Sequence, residues 1–234
     1  MTGKLYLIPT LLGNQDPDSV IPSKSFETTK RLRHFIVEEL RTARRYLRLI
    51  DKSFPIDECS FSVLNEHTQD TELKELLEPI AKGFDIGLMS EAGLPCIADP
   101  GSKVVLLAHK NKYPVVPMSG PSSIILALIT SGLNGQSFTF NGYLPIRPAE
   151  RAKRIREIEK KSLEGAAQIF METPYRNDQT LETLLSVCQN NTYLCIATDI
   201  SLNTESIVTM RISEWRKDIP KLKDRLVVFV LQQY

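Results

Sequence analysis

The run Ser90-Glu91-Ala92-Gly93-Leu94-Pro95-Cys96-Ile97-Ala98-Asp99-Pro100-Gly101 crowds two glycines, two prolines and two acids into twelve residues. It follows an apolar segment, Asp85 to Met89, and precedes a helical stretch, Lys103 to His109. A strand that ends, turns tightly and feeds a helix exposes backbone N–H groups and a helix N-terminus, where open α/β sheets hold small ligands. An ordinary βα connection closed by Gly and Pro uses the same residues. Other strand ends are finished in the same way, at Pro9-Thr10, Ser119 to Ser123 and Glu172-Thr173. No GxSxG, Walker A, HExxH or GxGxxG pattern is present, and His34, His67 and His109 lie far apart. A cleft lined by backbone and small side chains, without a nucleophile–base pair, suits a ligand that carries its own reactivity.

The second chemical signal is cationic. Arg41, Arg44, Arg45 and Arg48 are spaced three, one and three apart, which puts four guanidinium groups on one helix face with no acid at i+4. Such a stripe is either a solvated face or a surface for a phosphate-rich partner, and its self-repulsion favours the partner. The net charge of +1 does not choose between them. Cys59, Cys96, Cys188 and Cys195 form no CxxC pair and have no His at ligand spacing, so no metal site is expected. Four scattered thiols suit a reducing, cytoplasmic compartment. The longest apolar run, Ser122 to Ile129, falls well short of the roughly 20 residues that span a bilayer, so no membrane partner is expected. Met1 to Asn14 lacks a cleavage site and reads as a strand and turn rather than a signal peptide.

The elements that must position these residues alternate. Leu5 to Pro9, His34 to Val37, Phe61 to Leu64, Asp85 to Met89 and Val115 to Met118 read as buried strands. Between them lie helical stretches at Phe26 to Arg31, Glu39 to Ile50, Asp70 to Ala81 and Lys103 to His109. The βα repeat predicts a mostly parallel sheet with helices on both faces and right-handed crossovers, closing a first domain at residue 118. From 119 to 234 the texture changes. After an apolar helix, Ile124 to Ser131, strands are expected at Phe138 to Phe140, Ala167 to Met171, Thr192 to Thr198, Ile207 to Arg211 and Leu226 to Gln232. Helices are expected at Ala149 to Lys161, Gln179 to Gln189 and Ser213 to Lys217. Strands outnumber helices there, which predicts an α/β domain with a mixed sheet. The helix Ala149 to Lys161 reads as solvated, with Glu150 paired to Arg154.

Several ordered motifs carry a resemblance. Ile8-Pro9-Thr10-Leu11-Leu12-Gly13-Asn14, the run Ser90 to Gly101, Ser119-Gly120-Pro121-Ser122, Asn141-Gly142-Tyr143-Leu144-Pro145 and Glu172-Thr173-Pro174-Tyr175-Arg176 resemble, in order, those of the tetrapyrrole-methylase family. The likeness is greatest to its branch that methylates a cytidine ribose 2'-hydroxyl in small-subunit ribosomal RNA. The resemblance implies a two-domain α/β fold, S-adenosylmethionine bound in a cleft between the domains, and a homodimer. By motif position it implies cofactor contacts from Thr10, Glu91, Leu94, Ser122, Met171 and Ala197. The family's Glu-Asp-Thr-Arg falls on Glu38-Glu39-Leu40-Arg41, which implies acceptor chemistry at Glu38 and Arg41, with RNA held by Arg44, Arg45 and Arg48. His67 stands where the RNA-methylating branch has a histidine, which implies a part in proton removal.

The departures lie on the substrate side. The branch's Arg-Glu-Leu-Thr-Lys is Thr198-Asp199-Ile200-Ser201-Leu202 here, without either cation, and the His of its Pro-His-Arg turn is Tyr175. The Asp of its Ser-Asp-Ala-Gly is Glu91. A small-molecule acceptor such as a tetrapyrrole, or a SAM-binding module without turnover, therefore stands beside ribosomal RNA methylation as an alternative.

Overall fold

The computed structural model describes residues 2–13, 16–65, 68–69 and 71–234. The chain divides into two compact units, Met1–Ser122 and Ser123–Tyr234. In the first, strands β1 (Leu5–Ile8), β2 (His34–Val37), β3 (Ser60–Val63), β4 (Ile86–Met89) and β5 (Val115–Pro117) form one sheet in the order β3-β2-β4-β1-β5. Every pairing in it is parallel. Helices α1 (Pro17–Val20), α2 (Ser23–Arg31), α3 (Leu40–Ile50), α4 (Leu73–Leu76), α5 (Glu78–Ala81) and α6 (Gly101–Lys110) connect the strands.

The unbroken apolar runs are explained by two cores, one on each side of the sheet. Alternate residues face opposite sides. Ile8, Phe35, Val37 and Met89 pack with Phe26 of α2 and with Ala43, Tyr46 and Leu47 of α3. Leu5, Ile36, Ile86 and Leu88 pack instead with Leu73, Leu76, Ile80, Val104 and Ala108 of α4 to α6. Helices therefore cover both faces, as expected.

Two local expectations are corrected. The stretch expected as one helix over 70–81 is two short helices broken at Leu77, because Pro79 has no N–H to continue the ladder; Asp70 lies outside the described residues. The fifth strand is an edge strand and only half-buried, since among the described residues it pairs with β1 alone.

Gly87 of β4 lies where the first core is tightest. A Cβ there would sit 2.3 Å from Ile8 Cδ1 and 3.1 Å from both Leu32 and Phe35. Gly87→Val is expected to lower stability by about 1–3 kcal/mol through overpacking, read from the urea unfolding midpoint.

The second unit contains α7 (Ser123–Ser131), β6 (Phe138–Tyr143), α8 (Pro148–Ser162), β7 (Ala167–Met171), α9 (Asn177–Val187), β8 (Tyr193–Thr198), β9 (Ser206–Arg211), α10 (Ile212–Trp215) and β10 (Val227–Gln232). Its sheet runs β6-β7-β10-β8-β9, with β6 parallel to β7 and the other pairs antiparallel. Phe170 and Phe229 stack at 5.4 Å on one face, beneath apolar residues of α8, α9 and α10, and α7 packs on the other.

Helix α8 is less solvated than its composition suggested. Arg151 is buried, giving its Nε to Thr183 Oγ1 at 3.1 Å and Nη1 to the Ile146 carbonyl at 3.1 Å. Glu159 is buried as well, accepting from Gln189 N at 2.7 Å and from the Thr192 hydroxyl. The surface ion pairs run Arg147 to Glu150 and Arg154 to Glu157, three residues apart, rather than Glu150 to Arg154.

Candidate functional site

The carboxyl ends of β1, β4 and β5 are tied together. Thr10, just past β1, gives its N–H to the Gly93 carbonyl at 2.9 Å, and its hydroxyl lies 3.4 Å from the Ser90 carbonyl. A Cβ on Gly93 would meet Leu12 Cδ2 and the Pro121 carbonyl, each at 3.1 Å, and the residue holds a left-handed φ of +74°. A Cβ on Gly120 would fall 2.1 Å from Pro9 Cβ. Glycine stands at both positions because three loops approach backbone to backbone. From beneath, buried Tyr46 of α3 donates its hydroxyl to the Pro9 carbonyl at 2.9 Å, and burial pushes its phenol well above the usual range. Tyr46→Phe is expected to leave that carbonyl unpaired and to cost about 1–3 kcal/mol in denaturant unfolding.

The loop after β4 is held by Asp99. Its carboxylate accepts from Cys96 N and from Gly101 N, both at 2.7 Å, capping the start of α6. Within this frame Cys96 and Ala98 adopt φ of +71° and +61°. Non-glycine residues in that region carry strain that persists only where surrounding bonds enforce it. Burial, with Asp99 adding to it, pushes the Cys96 thiol up to about 12, so this cysteine is no nucleophile at neutral pH.

Glu38 follows β2 directly. It is partly buried, and one of its oxygens, Oε2, lies 3.4 Å from Glu91 N. Burial raises its carboxyl above the usual carboxylate range; the negative charges of Glu91 and Asp99 raise it further, against the opposing Glu91 hydrogen bond. Beside it opens a hollow of about 640 Å3, lined by Glu38, Asn65, Thr68, Ala98, Asp99 and Lys103 among others. A carboxylate facing polar groups in a concavity at the carboxyl edge of a parallel sheet is equipped to receive a proton.

Helix α3 starts from a side-chain cap. Glu39, the neighbour of Glu38 in the motif, accepts from Arg41 N at 2.8 Å and from Thr42 N, bonds that hold its carboxyl below the usual range. The helix buries Ala43, Tyr46 and Leu47 and turns Arg41, Arg44, Arg45 and Arg48 outward. Arg44 lies 5.4 Å over the Phe61 ring, and Arg48 donates Nη1 to the Lys52 carbonyl at 2.9 Å. The expected stripe is therefore a real surface feature.

Of the expected cofactor contacts, Thr10, Glu91, Leu94 and Ser122 lie on the three joined loops of the first unit. Met171 and Ala197 belong to the second unit, where both register against Val228, on β7 and β8 either side of β10, and share one face of that sheet. His67 lies outside the described residues. Among the described residues no group of His, Cys, Asp or Glu could hold a metal ion, and no helix is long and apolar enough to cross a membrane.

Sequence reasoning passed over Asp99 as a functional residue, although a Pro-flanked Asp just before a helix is a capping signal. It also passed over the buried pair just after Met171. Glu172 Oε1 accepts from Thr173 N at 2.8 Å and from Arg176 Nη2, while Glu172 Oε2 and Arg176 Nη1 are buried without hydrogen-bond partners among the described residues. At the segment lacking the family's two cations, Asp199 binds the Thr204 hydroxyl at 2.7 Å and Arg225 Nε at 2.9 Å. Tyr175 is exposed, with the Arg176 guanidinium 5.5 Å from its ring centroid.

No family model matches the chain. Among solved structures, the methyltransferase CobJ superposes with a TM-score of 0.65 over 99% of this chain and 95% of its own, at 16% identity. That likeness defines the architecture: a two-unit α/β methyltransferase fold. A Vibrio cholerae protein named ribosomal RNA small subunit methyltransferase I is 30% identical over 97% of this chain and 76% of its own length. Proteins of the same name from Halalkalibacterium halodurans and Haemophilus influenzae are 32% and 29% identical over 80% and 98% of this chain. These relatives extend beyond the matched region, which makes up 61% and 79% of the latter two. The chain is a methyltransferase that belongs to the ribosomal RNA small subunit methyltransferase I family, within the tetrapyrrole-methylase superfamily.

Proposed function

We propose that this chain transfers a methyl group from S-adenosylmethionine to a ribose 2'-hydroxyl of small-subunit ribosomal RNA. The observation that carries the reading is the joined carboxyl edge of the first sheet, where loops approach closely at Gly93 and Gly120 and one of them, the loop after β4, lines the hollow beside Glu38 with Ala98 and Asp99. Those loops suit the cofactor, because small residues and backbone polar groups leave room for a flat adenine and an amino-acid tail. Thr10, Glu91, Leu94 and Ser122 hold it in the first unit. When bound, S-adenosylmethionine offers a methyl group already activated on a cationic sulfur.

The chain then has to align, dehydrate and deprotonate. Glu38 takes the 2'-hydroxyl proton on Oε1, the oxygen that Glu91 N does not engage. Its raised carboxyl brings the proton affinity nearer that needed for exchange at neutral pH. Arg41 and His67 assist at the acceptor. Arg44, Arg45 and Arg48 meet the RNA backbone, each contact adding to a salt-dependent affinity. The protein works as a cytoplasmic homodimer.

The test is incorporation of labelled methyl into small-subunit RNA from cells lacking the gene, followed by mapping of the modified nucleotide. Label at a ribose 2'-oxygen is the expected result. Label in a low-molecular-weight fraction would turn the reading to a small-molecule acceptor. Tight S-adenosylmethionine binding without any labelled product would turn it to a non-catalytic module.

A further inference from the structure

The opposite edge of the first sheet, where the strands begin, carries a second hollow of about 480 Å3 that nothing above employs. Tyr6, Arg31, Arg33, His34 and Phe84 line it, with Asp85 on its rim. Phe84 is 53% exposed. This is not a side chain on a loose loop. Its N–H is bonded to the Pro79 carbonyl at 2.9 Å, and its own carbonyl lies so near Gly3 that a Cβ there would come within 1.9 Å. Asp85 is held too, accepting from Lys4 N at 2.8 Å.

The ring of Phe84 sits 5.0 Å from that of His34, whose Nδ1 shares a 2.7 Å hydrogen bond with Ser60 Oγ. Arg33 is committed to the protein through the Lys30 and Leu32 carbonyls and Glu58. Arg31 is not. It is exposed and gives only Nε, to the Glu27 carbonyl at 3.2 Å, so both Nη groups lack a partner among the described residues.

An aromatic ring carried on a tied backbone and held half in water contributes little to folding. Beside a hollow and a free guanidinium it makes a stacking platform with an adjacent phosphate contact, the combination by which proteins hold unstacked bases of single-stranded RNA. We propose that this hollow receives one nucleobase of the RNA, stacked on Phe84, with Arg31 on the neighbouring phosphate. The inference rests on the RNA reading above and adds a contact remote from the chemistry.

The experiment is an anisotropy titration of a short, fluorescein-labelled single-stranded RNA against the full chain, with S-adenosylmethionine affinity measured in parallel by calorimetry. Phe84→Ala is expected to weaken RNA binding roughly ten- to hundredfold while leaving cofactor affinity unchanged. Phe84→Trp, which keeps a stacking face, should retain binding, and Arg31→Gln should weaken it and flatten its salt dependence. Wild-type protein that methylates RNA while Phe84→Ala binds that RNA equally well would overturn this site and leave the function standing. Wild-type protein that neither binds nor methylates RNA would overturn both.

Discussion

Glu38→Gln is expected to lower kcat for methyl transfer by about two to four orders of magnitude, with the dissociation constant for S-adenosylmethionine unchanged. The amide keeps the shape of the side chain and loses the ability to take a proton. If Glu38 is the base, the acid limb of the wild-type pH–rate profile reports its ionisation. That limb should lie above the usual carboxylate range, because burial and the charges of Glu91 and Asp99 disfavour the anion. The sign then fixes a second readout. Glu91→Gln removes one of those negative charges, makes the Glu38 anion easier to form, and moves the limb to lower pH. A Glu38→Gln variant with near-normal kcat, or a limb that ignores Glu91, would remove Glu38 from the chemistry.

Gly120→Ala is expected to weaken S-adenosylmethionine binding about ten- to hundredfold by calorimetry. The added carbon would lie 2.1 Å from Pro9 Cβ and 2.6 Å from Pro9 Cγ, so the segment carrying Thr10 must move. That movement breaks the Thr10 N–H bond to Gly93, which joins the loops after β1 and β4. Gly135→Ala is the control, because a Cβ there meets nothing within 4 Å. Equal affinity in the two variants would show that the loops do not form the cofactor cradle. A large fall in the unfolding midpoint of Gly120→Ala would instead mark the contact as one the whole unit needs.

Much of the framework was legible in the residues. Almost continuous apolar runs such as Leu5 to Ile8 and His34 to Val37 reflect a sheet covered on both faces, and the two separate cores bear that out. The arginine stripe was equally legible, because helical spacing alone puts Arg41, Arg44, Arg45 and Arg48 on one side of α3, and the opposite side buries Ala43, Tyr46 and Leu47. Where local reading failed, a single residue tipped the balance. Pro79 broke the helix expected over 70–81, and hydrogen bonds to Thr183 and Thr192, more than thirty positions away, let α8 bury Arg151 and Glu159.

What the amino-acid order determined unaided were properties set within a few residues: periodicity, caps, turns, and which motifs follow which. The environment of Glu38 is of another kind. Its neighbour Glu91 is 53 positions away, and Thr10 reaches Ser90 across 80. Only the packed sheet order β3-β2-β4-β1-β5 brings those loops to one edge. Proton affinity depends on desolvation and on nearby charge, which are sums over spatial neighbours, so it exists only once the chain has folded. The same holds for the hollow beside Phe84, since a half-exposed aromatic ring cannot be told from a buried one by its letter in the chain.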